Sequence, residues 1–458
     1  MPDRRDSKPG RPGKGGPRRD GPARGPRTGA PDRPRLPPDP RRVAHQMLSA
    51  VTEEQRILAD LLGRSGPVAR LDPPVRARAQ RLTTETLRHL GALDALLGQH
   101  LAHMPPLPVL NVLRIAAYEL LAGEAAHGVV NSAVTQIAAM PRHNRAKGMA
   151  NAVLRKVAGA GMSLADLPAS RIPEWLRDPL VMAWGDEIVA ACEAVQSRPA
   201  PLDLTPREPS TTKTLAETLN ATVLPTGTLR IADNVQVTAL PGYETGEWWA
   251  QDAAAAIPVR VLNPQQGEKV LDLCAAPGGK TMQLAAAGAR VTALDISAPR
   301  SERIAANLAR TGLSARTVTG DALEFTETGW DAILLDAPCS ATGTLRRHPD
   351  LPHARDGSEI GALIALQSRM IDHALSLLKP GGRLVYCTCS LIPDEGEVQA
   401  EEAIARHPGL TADRAALDLP GLDPDWITEE GGLRLRPDLW SDLGGMDGFY
   451  VVALRRPR

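Results

Sequence analysis

Beyond residue 246 the chain alternates short apolar runs with amphipathic stretches, and few architectures accept that pattern. Lys269–Cys274 reads as a strand, Gly279–Ala287 as a helix, Arg290–Ile296 as a second strand and Ser301–Arg310 as a second helix. Ala315–Thr319 and Asp331–Leu335 continue the strands, Glu359–Leu378 is a long helix, and Gly382–Cys387 is a fifth strand. A last strand is expected at Gly448–Leu454, after an acidic, loop-rich stretch. Regular alternation of this kind predicts an α/β fold, a parallel sheet wrapped by helices. In such sheets ligands gather at the carboxyl ends of the strands, so chemistry is to be sought in the turns that follow them.

The residues before 246 divide by composition. A chain of 458 residues, at about 150 per domain, has room for three domains. Residues 1–42 hold 13 Lys/Arg against 5 Asp, with 11 Pro and 7 Gly, and read as a disordered basic tail. Residues 43–158 read as all-helical: Val43, Met47, Leu48 and Val51 make one apolar stripe, and Leu110, Leu113, Ile115, Leu120 and Leu121 belong to a later, more continuous one. Residues 159–245 read as a smaller α+β segment, with alternating stretches at Thr222–Leu224 and Leu229–Ile231.

A net charge of zero hides a polarity, since the first 158 residues carry 13 positive charges in excess and the remaining 300 carry 13 negative. The N-terminal half is therefore expected to meet a polyanion. The tail has no aromatic residues for stacking, so any contact it makes with nucleic acid would be nonspecific; a merely solvated leader fits it equally well. No apolar run approaches the roughly 18 residues of a membrane span, and the polar start lacks a secretory signal. Five cysteines, four of them in one region, argue against a disulfide framework and for reduced thiols. The expected setting is the cytoplasm, as a monomer with no membrane contact and no metal.

The first strand–helix turn reads Asp272-Leu-Cys274-Ala275-Ala276-Pro277-Gly278-Gly279-Lys280. Small residues let a ligand approach the backbone, and the N–H groups at the following helix start favour an anionic group. The turn matches neither the dinucleotide fingerprint nor a Walker loop. A tight turn alone would explain the glycines but not the whole run. Asp295 ends the second strand, a carboxylate suited to ribose hydroxyls, and Asp321 ends the third. Either alone would read as a helix cap or turn residue; together they favour a nucleoside-type cofactor.

The fourth strand runs into Asp336-Ala-Pro-Cys339-Ser-Ala-Thr-Gly-Thr-Leu-Arg346-Arg347-His-Pro-Asp350, and the fifth into Tyr386-Cys-Thr-Cys389-Ser. Neighbouring strand ends would thus place two thiols at one mouth of the sheet. A buried free cysteine is the ordinary reading for Cys192 and Cys387, but it fits Cys339 and Cys389 poorly. A metal pair from Cys387 and Cys389 would lack a second matched pair of ligands.

These three runs together resemble the RNA 5-methylcytosine methyltransferases that use S-adenosylmethionine. Residues 43–158, with LRIAAYELL, HGVVNSAV and NAVLRKV, resemble the NusB-like helical domain of one branch, the bacterial small-subunit rRNA cytosine-C5 methyltransferase B family. The resemblance covers roughly residues 43–456 and implies a Rossmann-like class I S-adenosylmethionine methyltransferase domain. It implies that Cys389 attacks carbon 6 of cytosine, that Cys339 promotes release, and that Asp336 holds the base edge. Cys274 to Lys280 would surround the methionine end of the cofactor, Asp295 its ribose and Asp321 its adenine, with Asp336 near both ligands. The target base must be unstacked to be attacked. Arg346 and Arg347 are then candidate phosphate contacts, or else a solvated basic turn. Arg142, Arg145, Lys147, Arg155 and Lys156 are candidates for an RNA face of the helical domain. The chain departs from the family pattern at Ala341, where Gly is usual, at Gly396, where an Asn stands between two Glu, and after Asp350, where an aromatic is missing. Rival readings are the same chemistry on tRNA or another rRNA site, and a noncatalytic RNA-binding assembly factor; DNA is disfavoured because DNA enzymes place the nucleophile in a Pro-Cys motif, whereas this chain has a second thiol, in Thr-Cys, at the fifth strand.

Overall fold

Asp39 and Pro40 open the first helix. The Asp39 carboxylate accepts the Arg41 N–H at 3.0 Å, and Pro40 brings a preset φ to the first turn. The computed structural model describes residues 39–458 apart from 64, 65, 67, 233 and 234. The tail expected over 1–42 therefore lies outside the described residues up to 38, and its last residues already belong to this helix, Pro40–Thr52.

Helices Pro73–Arg88, Leu90–Gly98, Leu107–Leu121, Ala126–Ala138 and Lys147–Gly159 complete the first region, with a short turn of helix at Leu58–Leu61. Leu107–Leu121 is buried on nearly every face. Its apolar residues recur too densely for one stripe, which is why it becomes the hub against which the amphipathic helices pack. Val43, Met47, Leu48 and Val51 join Leu110, Leu113, Ile115 and Leu121 in one core, with Leu120 at its margin. Each such large side chain contributes about 1.5–3 kcal/mol by leaving water.

Helices Glu174–Trp184 and Asp186–Gln196 lead to a small antiparallel sheet of β1 (Leu202–Pro206), β2 (Thr222–Val223), β3 (Leu229–Ile231) and β4 (Trp248–Ala250), ordered β2-β3-β1-β4. The larger sheet holds β5 (Lys269–Leu273), β6 (Arg290–Asp295), β7 (Arg316–Thr319), β8 (Trp330–Asp336), β9 (Leu378–Thr388), β10 (Thr411–Ala412), β11 (Leu433–Leu435) and β12 (Phe449–Arg455). Its order is β10-β12-β9-β8-β5-β6-β7, with β11 on β12. β7, β6, β5, β8 and β9 are parallel, as expected. β12 is antiparallel to β9, a departure from an all-parallel sheet. It is entered from β11 by a loop return rather than by a covering helix, so the chain comes back in the opposite direction.

The strand order reverses between β6-β5 and β8-β9, which opens the crevice beyond the carboxyl ends of β5 and β8. The long segment after β8 is held from both sides. Leu58 N–H donates to Asp350 (2.7 Å), Arg88 donates to the Arg346 carbonyl (2.7 Å), and Trp175 donates to the Pro352 carbonyl (3.0 Å). No helix among the described residues is long and apolar enough to cross a membrane.

Candidate active site

The turn after β5 is built by backbone that few residues accept. Cys274 sits at φ +61° and Gly278 at φ +101°, so the chain doubles back before helix Gly279–Ala286 begins. Gly278 is the helix cap and offers no side chain to the first-turn N–H groups, which leaves those donors for a ligand. Asp295, at the end of β6, is buried and accepts from Ala276 N–H (3.1 Å) and Ser297 N–H (3.0 Å). Its carboxylate thus ties the β6 end to the turn while keeping lone pairs for hydroxyl donors. Asp321 is exposed and accepts Leu323 N–H at 2.9 Å, the turn role that an isolated Asp would have.

Lys280 is buried beneath this turn. Its ammonium donates to Asp336 Oδ2 at 2.8 Å and lies 5.2 Å from the Phe449 ring centre. Burial works against its charge, but Asp336 and the neighbouring cysteines hold it firmly protonated. Asp336 also accepts from the buried Cys387 thiol at 3.5 Å. Cys192 and Cys387 are both buried, and burial pushes both thiols up.

Cys339 and Cys389 face one another with Sγ atoms 3.5 Å apart, and both are free thiols. The hydrogen bond with Cys389, reinforced by burial, raises the Cys339 thiol well above its ordinary range, so Cys339 keeps its proton. The charges of Lys280 and Arg347 both act on Cys389.

Beneath the thiols lies a polar cluster that the motif reading passed over. Glu395 is fully buried and accepts from Ser340 N–H (2.9 Å), Ser390 Oγ (2.6 Å), Gln367 Nε2 (3.0 Å) and the Ser340 hydroxyl. Its carbonyl accepts from the Tyr386 (2.8 Å) and Thr388 (2.9 Å) hydroxyls. One carboxylate therefore fastens the residue after Cys339 to the residue after Cys389. The only sequence signal is an acidic residue directly before the departure at Gly396. The next residue, Gly396, has no room for a side chain: a Cβ there would lie 2.6 Å from Arg434 Nη2 and 2.8 Å from Tyr450 Cγ. Arg434, paired with Glu397 and donating to the Ser390 carbonyl, fills the space that the Asn of the family pattern would need.

The expected phosphate contact at Arg346 is not available, which corrects the sequence reading. Its side chain is 1% exposed, donates to Asp252 at 2.6 Å and to the Gly444 carbonyl at 2.9 Å. A buried carboxylate demands a buried cation, and Arg346 is spent on that pairing. Arg347 is more exposed but pairs with Asp447 (2.7 Å). Arg142, Arg145, Lys147, Arg155 and Lys156 are all exposed, and none forms an ion pair among the described residues. They fall at the two ends of helix Lys147–Gly159 rather than in one patch.

A family model described as 16S rRNA methyltransferase RsmB/F matches residues 259–455, and one described as NusB family matches residues 38–159. Ribosomal RNA small subunit methyltransferase B of Erwinia tasmaniensis is 32% identical over 444 residues, covering 90% of this chain and 97% of that protein. The Pseudomonas putida protein of the same name is 33% identical, covering 91% and 98%. The chain belongs to the small-subunit ribosomal RNA methyltransferase B family. Among solved structures, a methyltransferase homolog from Pyrococcus horikoshii is 26% identical with TM-score 0.51, covering 61% of this chain and 93% of that one. NSun6 from Pyrococcus horikoshii shares the fold at 20% identity and TM-score 0.54, covering 62% and 98%.

As a member of this methyltransferase family the chain uses S-adenosylmethionine, and the residues present fit it. The uncapped N–H groups of helix Gly279–Ala286 suit a carboxylate, and Asp295 suits hydroxyls. Ile296, directly after Asp295, is 69% exposed.

Proposed function

We propose that this RNA methyltransferase modifies carbon 5 of a cytosine in small-subunit (16S) rRNA, through a covalent bond between Cys389 and carbon 6. The observation that carries the reading is the pair of opposed thiols, 3.5 Å apart, beside a buried Lys280–Asp336 pair. Bound S-adenosylmethionine supplies the electrophilic methyl group. Carbon 5 of cytosine is too weak a nucleophile to take it unaided. Cys389 thiolate adds to carbon 6, and the ring electrons moved by that addition make carbon 5 nucleophilic. Asp336 receives the base edge, with Lys280 holding its carboxylate in place. After methylation the proton on carbon 5 leaves to a base at the site. The carbon 6–sulfur bond then breaks, and its electron pair returns to Cys389. Cys339, protonated and against Cys389, is placed to assist that release.

Phosphate contacts are assigned to the exposed cations Arg142, Arg145, Lys147, Arg155 and Lys156, and to the partly exposed Arg347.

The test incubates the Cys339→Ala protein with S-adenosylmethionine and total RNA and separates the products on a denaturing gel. A nuclease-sensitive shifted band is expected, since the adduct would form and release slowly. Cys389→Ala should give none. A shift that survives Cys389→Ala, or a wild-type enzyme that methylates cytosine while neither variant traps RNA, would overturn the assignment.

A further inference from the structure

A second cavity, of about 630 Å³, lies away from the thiols. Its walls include Asn263–Pro264 and Ala286–Ala287, in the connections that enter β5 and β6 rather than those that leave them. It therefore opens at the other end of the parallel strands from the methyl-transfer site. Other walls come from three distant stretches: Pro206 and Pro209 at and after the end of β1, Pro225–Gly227, and Leu419–Pro420. The size falls within the range of small-molecule sites, and the lining is mostly apolar.

One polar group in it has no use in the fold. Arg260 lines the cavity and forms no ion pair or side-chain hydrogen bond with the described residues. Only burial acts on its guanidinium, with no carboxylate close enough to oppose it. Its position in the last turn of helix Ala253–Leu262 gives it a partial negative charge for company and nothing more. Arg260 is half-buried, and a guanidinium so placed without a partner leaves an acceptor missing beside it. Arg207, by contrast, is occupied with the Thr311 carbonyl at 3.1 Å.

We propose that this cavity binds a small organic monoanion with an apolar body, its acid group on Arg260 and its body against the prolines and Trp249. The apolar proline walls favour a free small molecule over an RNA phosphate. The site is joined to the cofactor turn by one path: Trp249 and Gln283 both bond Gln251 (2.7 and 2.6 Å), and Gln283 rides on the helix that begins at Gly279.

The probe is 8-anilinonaphthalene-1-sulfonate, an aryl monoanion, titrated by fluorescence into the folded full chain. Saturable binding to one site is expected. Arg260→Gln should weaken it at least tenfold, and Arg260→Lys should weaken it less. Ala286→Phe, on the exposed rim, should exclude the dye without disturbing the core. Thermal unfolding midpoints and S-adenosylmethionine binding, measured alongside, should match wild type. Equal dye binding by wild type, Arg260→Gln and Ala286→Phe would overturn the site. Displacement of the dye by an RNA oligonucleotide, lost in Arg260→Gln, would overturn the small-molecule assignment in favour of an RNA contact.

Discussion

Asp272 has a buried carboxylate oxygen, Oδ1, without a partner, while its other oxygen accepts from Thr281 at 2.6 Å. Burial, with Asp336 and Asp295 adding their charge and Lys280 opposing it, pushes the group up to about 7. The folded protein thus binds this proton more tightly than the unfolded chain, where the ordinary value is about 3.9. The stability it contributes is fully present below about pH 4 and is lost as pH rises through about 7. Wild type should therefore lose stability relative to Asp272→Asn between pH 5 and pH 7.5, by a few kcal/mol at about 1.4 kcal/mol per unit. Urea midpoints of the two proteins at both pH values check this, and parallel midpoints would sink it. The cysteines and the glycine turn could be read from the sequence because each sits at a strand end, where the fold dictates which way a residue faces. Arg346 could not. Its partner Asp252 is 94 positions away, and a charge pattern does not tell a solvated arginine from one paired in the interior. Glu395 was hidden for the same reason, since its four donors come from three separated segments.

At the scale of elements, the strands announced themselves because parallel strands buried on both faces are nearly continuous apolar runs. Lys269–Leu273 and Arg290–Asp295 fall within a residue of their expected ends. The direction of β12 was not legible, as strand direction depends on the connection and not on the strand's own residues. Nor was the fit of the loop after β8. There Ala341 adopts φ +57°, a conformation that costs a side chain about 1–2 kcal/mol. Two residues on, Gly343 passes the β12 approach so closely that a Cβ would meet the Gly448 carbonyl at 2.0 Å. Gly343 N–H also donates to the Cys389 carbonyl at 2.9 Å. Gly343→Ala should therefore push the Cys339 loop off the Cys389 loop. Methyl transfer is expected to fall by at least two orders of magnitude, with S-adenosylmethionine binding retained. Equal loss of both in a calorimetric titration would mean that the variant has lost the fold rather than the loop.

Across the whole molecule the helical region is tied directly to the segment that follows the cysteine loop. Arg88, on helix Pro73–Arg88, donates to the carbonyls of Gln196 (3.0 Å), Arg198 (3.1 Å) and Arg346 (2.7 Å). It pins the segment between the two regions and the cysteine loop's continuation at one point. Three carbonyls left without a charged donor cost about 3 kcal/mol or more. Arg88→Met should lower the unfolding midpoint and reduce methyl transfer at least tenfold, with helix content by circular dichroism unchanged. Unaltered activity in a measurably less stable protein would confine Arg88 to a structural role.

β12 is made after every strand it joins, yet its place is inside the sheet, between β9 and β10. The residue just before it, Gly448, is hydrogen-bonded to Gly343 of the cysteine loop. A chain still being translated, with this strand inside the ribosomal tunnel, lacks that bond, so the cysteine loop gains its last backbone anchor only when synthesis has passed β12.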